Sequence, residues 1–192
     1  GALNVAIGTN ALGTEDTGNR NTAIGHGSLS SLNFAGNGYN TAMGYNSGTT
    51  MISGIENTLI GALAGDSLNQ GNYNVAIGKG ALATEDGHSY NVAIGINALT
   101  TQNADADAYN VAVGANAGLA ITTGINNTLI GGLAGDAMTT GFRNSILGYN
   151  AGGAITIGNS NVAMGHLALA TNVAADRNVA IGVEALTNMT AA

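Results

Sequence analysis

Apolar and polar positions along this chain repeat with a period too long for a helical stripe and too regular for an ordinary globular domain. A five-residue unit, Asn-x-x-x-Gly, begins at Asn4, Asn21, Asn40, Asn57, Asn74, Asn91, Asn110, Asn127, Asn144, Asn161 and Asn178. Successive asparagines lie 17 residues apart, except that the steps from Asn21 to Asn40 and from Asn91 to Asn110 are 19. A fixed period of this length belongs to architectures in which identical supersecondary units stack. Three residues after each Asn stands a large aliphatic residue or Met, such as Ile24, Met43, Ile77 or Leu147, and one residue after it stands Val, Thr or Ser. Side chains alternate along a strand, so these two share a face. The residue between them belongs to the opposite face and is Ala in most units, or Leu59, Leu129 and Ile146. Gly8 and its equivalents then end the strand, where the chain must turn or where another backbone comes close.

The rest of the unit carries a second apolar signal. Seven residues after each Asn comes Ala or Ser, followed by Leu or Gly. Where that second residue is Gly (Gly48, Gly65, Gly118, Gly135, Gly152), a large apolar residue stands three places later: Met51, Leu68, Ile121, Met138 and Ile155. A core anchor has moved along the unit and the buried volume is kept, which packed interiors tolerate. A helix is excluded, because a Gly every turn or two costs about 1 kcal/mol each relative to Ala. Stacked β rungs put the same residues to use: each Asn lies above the previous one, and its amide pairs along the stack while closing the turn. The pattern therefore predicts an all-β parallel solenoid of about eleven rungs over residues 1–192, a single repeat domain roughly 50 Å long at the usual strand spacing. Thr14-Glu15-Asp16 recurs as Thr84-Glu85-Asp86, and Leu63-Ala64-Gly65-Asp66 as Leu133-Ala134-Gly135-Asp136, so a four-rung block has been duplicated.

Composition narrows the function. Of the 192 residues 45% are hydrophobic and only 8% charged, so the chain can bury a core despite its 31 glycines. The net charge of −7 leaves four scattered bases, Arg20, Lys79, Arg143 and Arg177, too few to neutralise a phosphate backbone, and nucleic acid is not an expected partner. No apolar run is long enough to span a membrane. The absence of cysteine removes disulfides and thiolate metal sites. The chain begins at Gly1 and stops mid-pattern, which reads as a fragment of a longer fibre.

Both strand faces are apolar, whereas a lone rung has one interior, so the second face needs a partner; identical chains about a common axis would supply it by burying either the Ala face or the Ile face. The unit Asn-(Thr/Val)-Ala-Ile-Gly followed by Ala-Leu resembles the YadA-like head repeats of trimeric autotransporter adhesins, and the similar arrays of phage tail-fibre proteins. That resemblance runs from Asn4 to the last rung. It implies a trimeric left-handed β-roll exposed outside the cell or on a virion, which binds host glycan or matrix protein or spaces a binding tip from its anchor. Rungs longer than those of adhesin heads set this chain apart.

Other classes fit less well. Left-handed β-helix acyltransferases place apolar anchors every six residues, whereas here the intervals are five or eight; calcium-binding repeats need Gly-Gly-x-Gly-x-Asp, which does not occur. An ice-binding face needs a regular Thr array, but Val75, Val92 and Val111 interrupt Thr22, Thr41, Thr58 and Thr128. No catalytic triad, phosphate loop or nucleotide fingerprint is legible, and neither enzyme activity nor a cofactor is expected. His26, His88 and His166 are too dispersed for a metal site and read as solvated or turn residues. The pairs Glu15-Asp16 and Glu85-Asp86 read as solvated turn acids, and Asp66 and Asp136 as turn caps. The two longer rungs put their extra residues in loops carrying Phe34, Asn37 and Tyr39, and Asp105, Asp107 and Tyr109, and aromatic rings beside amides or carboxylates suit carbohydrate.

Overall fold

A computed structural model describes residues 1–174 and 176–188. It contains eleven three-residue strands: β1 (Val5–Ile7), β2 (Thr22–Ile24), β3 (Thr41–Met43), β4 (Thr58–Ile60), β5 (Val75–Ile77), β6 (Val92–Ile94), β7 (Val111–Val113), β8 (Thr128–Ile130), β9 (Ser145–Leu147), β10 (Val162–Met164) and β11 (Val179–Ile181). They form one sheet in chain order, each strand parallel to the next, and the register follows the asparagines: Val75 pairs with Val92, and across the longer step Thr22 pairs with Thr41. The remainder of each rung is a run of turns that returns the chain to the start of the next strand. The molecule is a β-solenoid of about ten turns, roughly 48 Å along its axis at the spacing of neighbouring strands.

The strand faces are now assigned. From β2 to β11 the middle residue is buried, and the residues flanking it are half-buried or exposed. The Ala column, with Leu59, Leu129 and Ile146, faces the interior, and the Val/Thr and Ile/Met columns face outward. Behind the strands the turns supply Leu29, Leu82, Leu99 and Leu169, or, where Gly replaces that Leu, Met51, Leu68, Ile121, Met138 and Ile155, all with no exposed surface. Gly118 explains the exchange: a Cβ there would lie 2.8 Å from Leu129, 2.9 Å from Leu99 and 3.0 Å from Ile121, so the three neighbours occupy the space a Leu would need.

The strand-ending glycines have a separate cause. A Cβ on Gly78 would sit 2.4 Å from the carbonyl oxygen of Gly95 in the rung above, with φ at +133°. Side chains are excluded here by both backbone conformation and the vertical approach of the next rung.

Candidate functional site

The asparagine column is continuous. At each of the ten steps, the Oδ1 of one Asn accepts the backbone N–H of the next, as from Asn21 to Asn4 (2.8 Å), Asn91 to Asn74 (2.9 Å) and Asn178 to Asn161 (3.0 Å). The Nδ2 group donates to a carbonyl 14 residues on, for example Asn57 to Gly71 at 2.8 Å and Asn127 to Gly141 at 2.9 Å. Where both bonds form, the side chain satisfies one backbone donor and one acceptor at a corner outside the strand ladder. Amide-to-amide bonds occur at some steps only, such as Asn40 to Asn21 and Asn161 to Asn144. In the two longer rungs the carbonyl at that offset is displaced: Asn21 Nδ2 is buried without a partner, and Asn91 Nδ2 reaches the Ser89 carbonyl at 3.5 Å.

A second ladder lies two residues before the first and was not read from the sequence. The side-chain oxygen of Asn19 accepts the N–H of Ala2, Asn72 that of Ile55, Ser89 that of Asn72, Asn159 that of Phe142 and Asp176 that of Asn159. Its bonds run in the opposite direction, each oxygen serving the rung below. The available signal was the recurrence of Asn, Asp or Ser two places before the constant Asn, hidden because Ala, Gly and Ile share that column.

The two loops singled out as ligand candidates are not brought together. Tyr39 and Tyr109 occupy one column, the residue before the constant Asn, with Glu56, Tyr73 and Tyr90 between them. Tyr109 stacks on Tyr90 with ring centroids 4.9 Å apart, and Tyr90 on Tyr73 at 5.2 Å; Tyr39 lies under the Arg20 guanidinium at 5.5 Å. Phe34 is half-buried against the core, and Asn37 is exposed beside a backbone bridge to Asn19. Asp105 is exposed, whereas Asp107 spends one carboxylate oxygen on the Ser89 N–H.

Among the acids, the reading of Glu85 as solvated is corrected. It has no exposed surface, and its Oε1 accepts from the backbone N–H of His88 and lies 2.9 Å from His88 Nδ1. Glu85 falls in the column of Leu68 and Ile121, inside the solenoid, with Gln102 directly above it. The Oε2 of Glu85 and the Nε2 of Gln102 are both buried without a partner. Glu15, half-buried, uses its Oε1 in the same way on Thr17 and Gly18. Burial raises the Asp66 and Asp136 carboxyls above the usual carboxylate range, opposed at Asp136 by its own N–H and that of Ala137. His26 stacks on Tyr45 and His166 on Tyr149, and among the described residues no three His, Cys, Asp or Glu converge on a point that could hold a metal.

What the chain offers in quantity is a surface. Val/Thr and Ile/Met side chains run in two outward columns from end to end, with Met43, Ile130, Leu147 and Met164 all more than a third exposed. No helix among the described residues is long and apolar enough to cross a membrane. No family model, curated protein or solved structure matches the chain.

Proposed function

We propose that this chain is a structural or adhesive segment of an extracellular trimeric fibre, of the kind found in adhesin heads or phage tail fibres, which attaches to a host surface or spaces a tip away from it. The observation that carries this reading is the outward face of the sheet. Its Ile/Met column is apolar in all eleven strands and the neighbouring column is Val in six of them and Thr or Ser in five, while the interior is already filled by the Ala column and the turn-borne Leu, Ile and Met. Isolated apolar side chains at a surface are ordinary, but an uninterrupted apolar strip the length of the molecule marks an association face. The continuous apolar strip is the Ile/Met column, flanked about 7 Å along each strand by the Val/Thr/Ser column, and three such faces converging on one axis would close around each other and leave the turns outside. The sequence resemblance to YadA-like head repeats supports the same assembly. Stacked rungs of repeated side-chain columns suit a rigid spacer or a binding surface.

The test is Ile77→Asp, and separately Ile94→Asp. Both side chains face outward from half-buried positions, so the solenoid itself should survive each change while the assembly should not. A variant that keeps its β circular-dichroism spectrum and falls to a single chain is the expected result. A variant that keeps the parent's oligomeric mass would contradict it, and a parent already monomeric would favour a single-chain solenoid that lays this face on an extended surface such as ice.

A further inference from the structure

The four bases of the chain are not evenly distributed in space. Arg143 and Arg177 occupy the column before the constant Asn, two rungs apart and about 9 to 10 Å from each other along the axis, with Ser160 between them. Together with Phe142, Asn159 and Asp176 they line one cleft on the corner of the solenoid. A second cleft adjoins it across Phe142 and Arg143 and is walled by Thr123, Ile125, Asn126 and Thr140. So half the basic side chains of a protein of net charge −7 sit in one recess.

The backbone of that recess is bonded rung to rung, and its arginine side chains are exposed. Arg143, Ser160 and Arg177 have φ of 58°, 59° and 56°, and each backbone N–H donates to a carbonyl of the previous rung, to Ile125, Phe142 and Asn159 respectively. The three residues therefore share one backbone conformation and one pattern of hydrogen bonds, and their side chains leave the corner in register. The Arg143 guanidinium lies over the Phe142 ring at 5.4 Å, and the ring is itself more than a third exposed. Among the described residues the ion pair formed is His88 with Glu85, so neither arginine is matched by a carboxylate at bonding distance. Asp176, the one acid in the cleft, has an oxygen occupied by the Asn159 N–H at 2.7 Å. Asn126 and Ser160 are exposed beside them.

We infer that this corner is a binding site for an acidic saccharide, in which Arg143 and Arg177 take carboxylate or sulfate groups on sugars along the chain axis and Phe142 packs against a pyranose face. Guanidinium forks match the geometry of carboxylate and sulfate oxygens. The aromatic ring offers the apolar contact a sugar ring needs, and Asn126, Thr140, Asn159 and Ser160 supply amides and hydroxyls for its hydroxyl groups. All of these residues come from one chain and lie in columns that precede the strand. The site thus rests on the fibre reading only in supposing that the outward strand columns, and not this corner, form the assembly face.

The experiment titrates the full chain with an oligosaccharide of alternating uronate and N-acetylhexosamine, and with the same oligosaccharide after its carboxylates are reduced to alcohols. The uronate form should bind and weaken with added salt, and the reduced form should bind several-fold less. Arg143→Asn and Arg177→Asn keep a residue that tolerates the left-handed backbone, as Asn126 already does in this column. Each should weaken binding several-fold, and the double variant about tenfold or more. Phe142→Ala should weaken the oligosaccharide while leaving the affinity for inorganic sulfate unchanged. Equal binding of the reduced oligosaccharide, undiminished binding by the double arginine variant, insensitivity to Phe142→Ala, or an oligoglutamate peptide binding as well as the sugar would each overturn the assignment. Sedimentation of every variant reports assembly separately, so loss of binding at unchanged mass speaks to the site and a change in mass speaks to the fibre.

Discussion

Leu29, Leu82, Leu99 and Leu169 hold φ between 49° and 55°, a left-handed conformation that costs an L-residue about 1 to 2 kcal/mol. They keep it because each buries an entire side chain, a gain of about 1.5 to 3 kcal/mol. Gly48 and Gly118 at the same column avoid the strain, and Met51 and Ile121 fill the space from three residues on. The same weighing applies to the buried amides. In Asn127→Ala the N–H of Asn144 and the carbonyl of Gly141 both lose their partner, and chemical denaturation should find the variant less stable by about 2 to 4 kcal/mol. Gln102→Met should cost much less. It removes a buried Nε2 that has no partner but also the Oε1 that accepts from Asn110 Nδ2 at 2.6 Å, while Asn110 Nδ2 keeps its bond to Gly124; the two effects offset, and a change of less than about 1 kcal/mol is expected. A loss as large as that of Asn127→Ala would mean that Gln102 is fully satisfied in solution.

Asp66 and Asp136 give the residue scale a pH dependence. Their folded-state pKa values are raised by burial, so their contribution to stability is whole below the ordinary carboxylate range and is lost as pH rises through the folded values. Asp66→Asn and Asp136→Asn should therefore stabilise the protein near neutral pH, with the gain fading to nothing at about pH 3, where both states of the parent are protonated. Thermal melts across that range would check the sign, and a gain that grows toward acid would refute it.

At the scale of the element, one rung is a three-residue strand, two side-chain ladders and a chain of left-handed turns. The strand, its register and the Asn column were legible because one residue type recurs at a fixed offset, and the Gly-for-Leu exchange was legible because a volume reappears three places on. Two things were not. Alternation puts Ala76 and Ile77 on opposite faces without saying which is inside; that depends on the turns delivering Leu68 and Leu82 behind the sheet, and they lie on the Ala side. Nor could the sequence separate Glu85 from a turn acid, since it shares Thr-Glu-Asp with the less buried Glu15 and differs in having Gln102 and His88 as neighbours. The face assignment predicts an asymmetry between adjacent substitutions. Ala76→Asp puts an unpaired charge into a filled interior and should abolish folding, whereas Ile77→Asp should leave the single chain folded, as followed by circular dichroism and proteolysis. Equal damage to the fold from both would reverse the inside and outside assigned here.

Over the whole molecule, the interior accounts for one face of the sheet and leaves the other uncovered along about 48 Å of stacked strands. A chain with few charges and an apolar strip of that length has a natural route to solubility in placing the strip against copies of itself. The direct measurement is the mass of the unmodified chain by sedimentation equilibrium. A particle of three times the 18.8 kDa chain mass, unchanged on dilution through the micromolar range, is the expected result; a single-chain particle, stable and folded at those concentrations, would rule out the strip as an assembly face.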